Sequence, residues 1–409
     1  MNFIEAYELF ASGNEASPTF HKWGAIATLS SVIGRRIWFD QNYYLVYPNM
    51  YIVFVGEPGD KKTTALNVSR GLVQKTETPI SPPSITKEAL TLLMSSSNVK
   101  SPCNKETTID NVVVQFSHLS IFASEIVTML SAGGNPIGMI EFLTDIYDRE
   151  VFDVHTKNQG TDKIIGPYIT LLACMTPEQT GQMLKQSIIT GGFSRRVVFI
   201  YGKSKPVGIP FPVMTEEQTA AKTFMLERLS KIHGWNGAFT MTDEAKEFFA
   251  KWYQEKHILL TKPNPPAFKN WLRSKDVMLI KVAMLLVVSE FTFVRIIELR
   301  HVQRALAMLD EVEPDLSKIF AGAGKNLGAE LAHKIVRYLE ELPQKKAVRK
   351  QILAALYTEG NAREIDEALD FLTTTNKVTK KILTAQGTSV VLFGLPDPKE
   401  VSSGSLDLL

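Results

Sequence analysis

The chain has 409 residues, more than one compact core usually holds, so two or three domains are expected. Hydrophobic residues make up 44% and charged residues 22%, the balance of an ordinary globular chain, which excludes a disordered or fibrous one. A formal net charge of +2 excludes a bulk electrostatic field as the means of holding a polyanion, so any nucleic-acid binding must come from local basic patches. The two cysteines, Cys103 and Cys174, lack metal-ligand spacing and fit a reducing cytoplasm. Residues 1–10 are acidic and amphipathic and do not read as a signal peptide. The apolar run 282–288 is far too short to span a bilayer, so no membrane partner is expected.

In chain order, residues 2–34 read as helical, with Phe3, Ala6, Tyr7 and Phe10 at helical spacing. A strand pair is expected at 37–39 and 43–47, separated by polar residues. Residues 50–55 (MYIVFV) form a continuous apolar run ending at Gly56, the pattern of a strand buried on both faces of a parallel sheet. Residues 117–123 (SHLSIFA), 169–173 (ITLLA) and 196–201 (RVVFIY) are three more such runs. Helical segments lie between them, which is the alternation of an α/β fold with a parallel sheet. From 215 to about 319 the pattern is helical, and the Gly-rich stretch 321–328 reads as a linker. Helices at about 328–342, 347–358 and 361–375 then precede short strands at 377–383 and 390–393, the order of a winged helix. The expected organisation is an N-terminal helical segment (1–45), a parallel-sheet core (46–214), a helical subdomain (215–320), a winged-helix domain (325–396) and a flexible tail (397–409).

Two motifs carry chemistry. Residues 56–63 (GEPGDKKT) follow a buried strand and open a helix, matching GxxxxGK[ST] except that Lys61 replaces the second glycine. In such a loop Gly56 and Gly59 let backbone N–H groups surround phosphates, Lys62 reaches the β/γ-phosphates of ATP, and the Thr63 hydroxyl ligates Mg²⁺. Lys61 puts a side chain where none is usual. The strand 117–123 ends in Ser124 and Glu125, where an ATPase places a carboxylate that polarises water against the γ-phosphate; Ser124 stands in the common Asp position.

The order of features beyond Glu125 resembles the AAA+ branch with a hairpin inserted before sensor 1, which contains the minichromosome-maintenance helicases. It is more closely similar to a family of phage and mobile-element P-loop replicative helicases. The carriers are the Pro48-Asn49 entry to the strand and loop, the FLTDIYD helix segment at 142–148, a hairpin signature with strands at 151–156 and 163–168, and GGFSRR at 191–196. The resemblance covers about residues 15–310 and implies a P-loop NTPase core of AAA+ type. It implies that Lys62 and Thr63 bind phosphate and Mg²⁺, that Glu125 is the catalytic base, and that Thr176 is the sensor-1 residue. Arg195 or Arg196 is implied as an arginine finger acting on a neighbouring subunit's ATP. Arg273, at the opening of a helix, is a sensor-2 candidate or an ordinary solvated charge.

For DNA, the hairpin tip offers Lys157 and Asn158, with Lys163 at the start of the return strand. Residues 325–395 hold 11 basic against 8 acidic residues, and the wing lysines Lys377, Lys380 and Lys381 are better contacts than the acidic helix 361–375. In the tail, Leu406, Leu408 and Leu409 resemble the short apolar peptides that dock on bacterial sliding clamps. The expected activity is that of an ATP-dependent replicative helicase, a homo-oligomeric ring (a hexamer) on single-stranded DNA in a bacterial host's cytoplasm. Two alternatives stay open: an origin-binding initiator or helicase loader, and a non-catalytic nucleotide-dependent scaffold.

Overall fold

Helix formation at the N-terminus is set by its end groups. The Glu5 amide donates to Asn2 Oδ1 at 3.0 Å while the Asn2 amide donates to Glu5 Oε2 at 2.9 Å, a reciprocal cap that starts α1 (Phe3–Ala11). Pro18 opens α2 (Pro18–Ile33), where its missing N–H costs nothing, and Gly34 closes it with φ of +64°. The stretch expected as one helical segment is therefore two helices, and α2 is buried on almost every side. The computed structural model describes residues 1–409 except 110, 157–159, 180–191, 263–265, 325–326, 358, 360, 376, 386–387 and 397–409. The chain divides into two compact units, Met1–Gly322 and Ala323–Leu409.

The first unit is α/β. Its strands are β1 (Ile37–Asp40), β2 (Leu45–Val46), β3 (Tyr51–Val55), β4 (Asn104–Ile109), β5 (Val112–Ala123), β6 (Val151–Thr156), β7 (Gly160–Ile165), β8 (Pro167–Met175), β9 (Val197–Tyr201), β10 (Gly237–Met241) and β11 (Ile296–Ile297). The central sheet has the order β4–β5–β8–β3–β9, and the four expected apolar runs are its four parallel strands. Every residue of β3 and β8 is buried, because helices cover both faces. Its helices are α3 (Lys62–Val73), α4 (Lys87–Met94), α5 (Ile126–Leu130), α6 (Pro136–Ile146), α7 (Glu216–Ser230), α8 (Asp243–Thr261), α9 (Pro266–Glu290) and α10 (Leu299–Gly324). The side chains of α1, α2, the sheet and α7 to α10 form one hydrophobic core. Ion pairs made by buried lysines join the last three of these helices: Lys256 to Asp276 at 2.9 Å, and Lys275 to both Asp310 and Glu313.

Several expectations need correction. The Gly-rich stretch 321–328, expected as a linker, is helical up to Gly324 and again from Leu327, and the strand expected at 43–47 shortens to β2. Strand β5 starts at Val112 rather than at 117, because its first residues are exposed and pair antiparallel with β4, whose half-exposed residues leave no apolar run. The hairpin's return strand ends at Ile165: Gly166 takes φ of +49° and splits the apolar run between β7 and β8. Lys163 thus lies inside the return strand, opposite Asp153, and not at its start. The stretch 215–319 is not wholly helical. Strands β10 and β11 join β1 and β2 in a second sheet of order β11–β10–β1–β2, and β10, alternating buried and exposed over five residues, is too short to stand out from the helical periodicity around it.

The second unit runs α11 (Leu327–Glu341), β12 (Lys346–Val348), α12 (Arg349–Leu356), α13 (Ala362–Thr374), β13 (Thr379–Ala385) and β14 (Thr388–Gly394). Strands β13 and β14 pair antiparallel and β12 adds a third strand beside β14. Ile335, Leu339, Ile352, Leu369 and Phe393 belong to its own core. Among the described residues no helix is long and apolar enough to cross a membrane.

Two buried histidines make stability depend on acid. His118 Nε2 donates to Ser31 O at 2.7 Å, and His21 Nε2 lies 2.8 Å from Asn14 Oδ1. Burial, reinforced by nearby cations, pushes His118 from 6.5 down to about 3 and His21 down to about 4. The unfolded chain therefore takes up protons before the folded one, and the stability these groups contribute is present above pH 6.5 and lost as pH falls toward 4. Denaturant unfolding followed from pH 7 to about pH 5 is expected to show falling stability, with a shallower fall in His118→Gln; an unchanged slope in the variant would be the contrary result.

Candidate active site

The carboxyl edge of the parallel sheet gathers the residues expected to do chemistry. The β3–β8 register pairs Val55 with Met175 and the β5–β8 register pairs Ala123 with Ala173, so Gly56, Thr176 and Ser124-Glu125 leave the sheet at the same edge. In open α/β sheets, ligands bind beyond such an edge. The Gly56 amide reaches Met175 O at 3.4 Å and the Gly202 amide reaches Val55 O at 3.0 Å, holding the strand ends level.

The loop 56–63 turns sharply. A Cβ on Gly56 would lie 2.7 Å from Gly202 O, a backbone atom, so only glycine fits there. Gly59 takes φ of +95°, and Lys61, at the position where the motif has glycine, takes the left-handed φ of +55° as the residue capping α3. Lys61 thus keeps the backbone form of the missing glycine, at a cost of about 1–2 kcal/mol. Its amine turns outward to Glu15 Oε2 at 2.9 Å. Glu15 also accepts the Ile209 amide at 2.6 Å, and these two hydrogen bonds hold its carboxyl below the usual range. Asp60 organises the turn by accepting from the Glu57 amide at 2.7 Å and from the Ser204 amide at 3.1 Å. Lys62 Nζ donates to Gly56 O and Glu57 O, both at 2.7 Å, so its ammonium sits over the mouth of the loop. Thr63 is exposed in the first turn of α3. A lysine held only by loop carbonyls and a hydroxyl at a helix N-terminus fit a phosphate and its Mg²⁺.

Glu125 and Ser124 are exposed at the end of β5. Glu125 precedes α5 and its Oε2 accepts from Thr128 Oγ1 at 3.1 Å. Between the strands bearing Lys62 and Glu125 runs β8, and Thr176 follows it directly, its amide donating to Gln179 Oε1 at 2.9 Å.

The arginines lie elsewhere. Arg195 and Arg196 form a short 3-10 turn immediately before Val197, the first residue of β9, at the amino edge of the sheet. Five residues of strand separate them from the carboxyl edge, about 16 Å at the usual rise. Arg196 is turned into its own chain: it pairs with Asp148 at 3.2 Å, donates to Gly192 O at 3.0 Å and lies over the Tyr147 ring. Arg195 is exposed and makes no ion pair with the described residues. Arg273 lies well inside α9 rather than at a helix opening, and it lines one cavity with Arg195 and Arg196, away from the Lys62 loop. That cavity, of about 730 Å³, also contains Lys281, which sequence reasoning missed. Lys281 donates to Asn49 O at 3.1 Å and to Asn49 Oδ1 at 2.8 Å, with its amine 3.9 Å from the Tyr147 ring centroid. Burial pushes it down to about 7. It sits in an apolar helical stretch with no motif, so nothing in the sequence marked it.

Of the expected DNA contacts, Lys157 and Asn158 lie outside the described residues, as do Leu406, Leu408 and Leu409. Lys163 is exposed on β7, and its carbonyl accepts from Ser96 N and Ser96 Oγ at 2.8 Å each, tying the hairpin to the end of α4. In the second unit Lys377, Lys380 and Lys381 are all exposed, and Lys380 approaches Asp370 of α13 at 3.8 Å. The helix α13 spends its charges internally, with Arg349 bidentate to Asp366 and Arg363 bonded to Glu367.

The chain matches no model of a known protein family, and a search of curated proteins finds no match.

The loop geometry sets two opposite outcomes. Lys61→Gly is expected to raise stability by roughly 0.5–1 kcal/mol, because relief of the left-handed strain outweighs an exposed ion pair and the added freedom of the unfolded chain. Gly56→Ala is expected to lower it by about 1–3 kcal/mol through collision with Gly202 O. Unfolding midpoints of the two variants check both signs.

Proposed function

We propose that this chain is an ATP-driven motor of the AAA+ P-loop class, a ring-forming replicative helicase that moves on single-stranded DNA. The reading is carried by one observation: Lys62 and Glu125 stand at the same edge of a parallel sheet, with one strand, β8, which Thr176 follows, between the strands that precede them. Two strand spacings, about 10 Å, leave room for a terminal phosphate and an attacking water. Mg²⁺-ATP, when bound, supplies the phosphoanhydride whose cleavage drives motion. Lys62 exchanges its loop carbonyls for phosphate oxygens, and the backbone amides of the loop and the start of α3 add to that cradle. Thr63 offers its hydroxyl to the metal. Glu125 orients the attacking water and takes its proton, with Ser124 beside it as a neutral neighbour. Thr176 holds the same water or the γ-phosphate by its hydroxyl.

Arg195 is too far from its own chain's loop to act there, so it serves the neighbour's nucleotide; such a finger is worth about 10³–10⁵ in rate. Arg196 positions the turn through Asp148 and Tyr147. The hairpin β6–β7 carries the single strand through Lys157, Asn158 and Lys163, with the wing lysines of the second unit as further contacts.

The test separates binding from turnover. Lys62→Ala should abolish ATP binding, while Glu125→Gln should bind ATP normally and lose hydrolysis by a factor of about 10² or more. Normal hydrolysis by Glu125→Gln would overturn the assignment, and no DNA-stimulated hydrolysis by the unaltered protein would favour a non-catalytic scaffold. For DNA, the pair Lys157→Ala, Lys163→Ala should reduce the salt dependence of single-strand binding by about 0.7 per lost contact; an unchanged slope would place the strand elsewhere.

A further inference from the structure

The two edges of the parallel sheet carry surfaces of opposite character. Beyond β9, at the carboxyl edge, residues 206–217 (PVGIPFPVMTEE) cross the surface, with Val207, Phe211 and Val213 being 64%, 86% and 82% exposed. Such exposure of neighbouring large apolar side chains marks a contact surface. The segment is held at both ends. The Ile209 amide is bound by Glu15, and Thr215 and Gln218 cap α7 reciprocally, with Gln218 also donating to Ser12 Oγ at 3.0 Å. Three prolines stiffen it, so little entropy remains to be lost on docking. It contains no basic residue and ends in the exposed pair Glu216-Glu217.

At the amino edge the 730 Å³ cavity has the complementary make-up. Its wall includes Tyr44, Leu45, Val277 and Met278, and its rim includes Arg195 and Arg273. The two acids there are already engaged, Asp148 with Arg196 at 3.2 Å and Glu150 with Arg35 at 2.6 Å. Arg195 and Arg273 make no ion pair with the described residues. An apolar, acidic, rigid segment on one edge and an apolar, cationic cavity on the other are what a head-to-tail contact between identical chains requires.

We infer that residues 206–217 of one copy seat in this cavity of the next, with Phe211 between the apolar walls and Glu216 or Glu217 against Arg273. The inference rests on the ring reading above and specifies the contact that builds the ring. It also gives Arg195 its setting, since the segment leaves the sheet beside Gly202, next to the phosphate loop of the same chain. Docking it against the cavity brings the neighbour's Arg195 toward that loop.

The experiment uses the full chain with Mg²⁺-ATP and measures assembly by sedimentation. Phe211→Asp, a surface change, should raise the concentration for half-assembly at least about tenfold without altering the melting of the monomer. Arg273→Glu alone, and Glu216→Arg with Glu217→Arg, should each weaken assembly, and the three changes combined in one chain should restore it. Phe211→Cys with Met278→Cys should give a ladder of disulfide-linked oligomers on mild oxidation, the native Cys103 and Cys174 being buried. Assembly that survives Phe211→Asp, with no ladder and no rescue by charge exchange, would overturn this contact and leave the ring standing. A chain that stays monomeric at every concentration, with ATP and single-stranded DNA, would overturn both.

Discussion

The structure hangs on the parallel pairing of β3 between β8 and β9. A five-residue strand buried on both faces has no solvent side to choose, so its register is set by which neighbours complete its hydrogen bonds and which helices cover it. Once Val55 is level with Met175 and Tyr201, Gly56, Thr176 and Gly202 must emerge together at one edge. A one-residue slip of β3 would draw Gly56 into the sheet and move Lys62 away from the end of β8. Gly56 itself is confined by Gly202 O, so the tightness of the turn and the strand register are one constraint seen from two sides.

The amino edge of the same sheet meets a different requirement, that of burying cations without dismantling the core. Arg35 is nearly buried, lies 3.8 Å from the Tyr47 ring centroid, donates to Arg149 O and Pro167 O, and pairs with Glu150. Lys281 makes no ion pair with the described residues and relies on Asn49 and the face of Tyr147. An unpaired buried ammonium is costly, and its ordinary answer is to give up the proton more easily, the direction Lys281 takes. Asn49 serves two elements at once, since its amide nitrogen also donates to Tyr147 O at 3.0 Å. The entry to β3, the end of α6 and the middle of α9 are thereby locked together, which gives Arg195 and Arg273 a rigid base.

Between these edges the connection from α1 to α2 links loop and surface. Glu15 holds both the Lys61 amine and the Ile209 amide. A change at the phosphate loop that drew Lys61 away would remove one of the two hydrogen bonds that anchor this carboxylate. The ion pair itself is half exposed and adds little to stability. Its importance is geometric, since it joins the only strained residue of the loop to a segment on the outer surface.

The sequence by itself determined the four parallel strands, the loop after the first of them, and, in the second unit, three helices ahead of the β13–β14 pair, though not the short strand β12 between the first two helices. These are local properties: continuous apolar runs, glycines at a turn, and helical spacing are all legible within a dozen residues. It also placed Glu125 at a strand end. Tertiary structure alone decided the rest. Strand β4 and strands β10 and β11 are short or polar, and become strands only because a partner from a distant part of the chain supplies their hydrogen bonds. Glu15 and Lys281 carry no motif, and the Pro48-Asn49 entry does not reveal what Asn49 binds; the roles of all three arise from which elements pack together. The pair Arg195-Arg196 reads as two equal arginines in sequence; folding turns Arg196 onto Asp148 and Tyr147 and leaves Arg195 outward, because the 3-10 turn points successive side chains in different directions. Local patterns record what a segment is, whereas a residue's partners are set by the long-range register of the sheet, which no single segment contains.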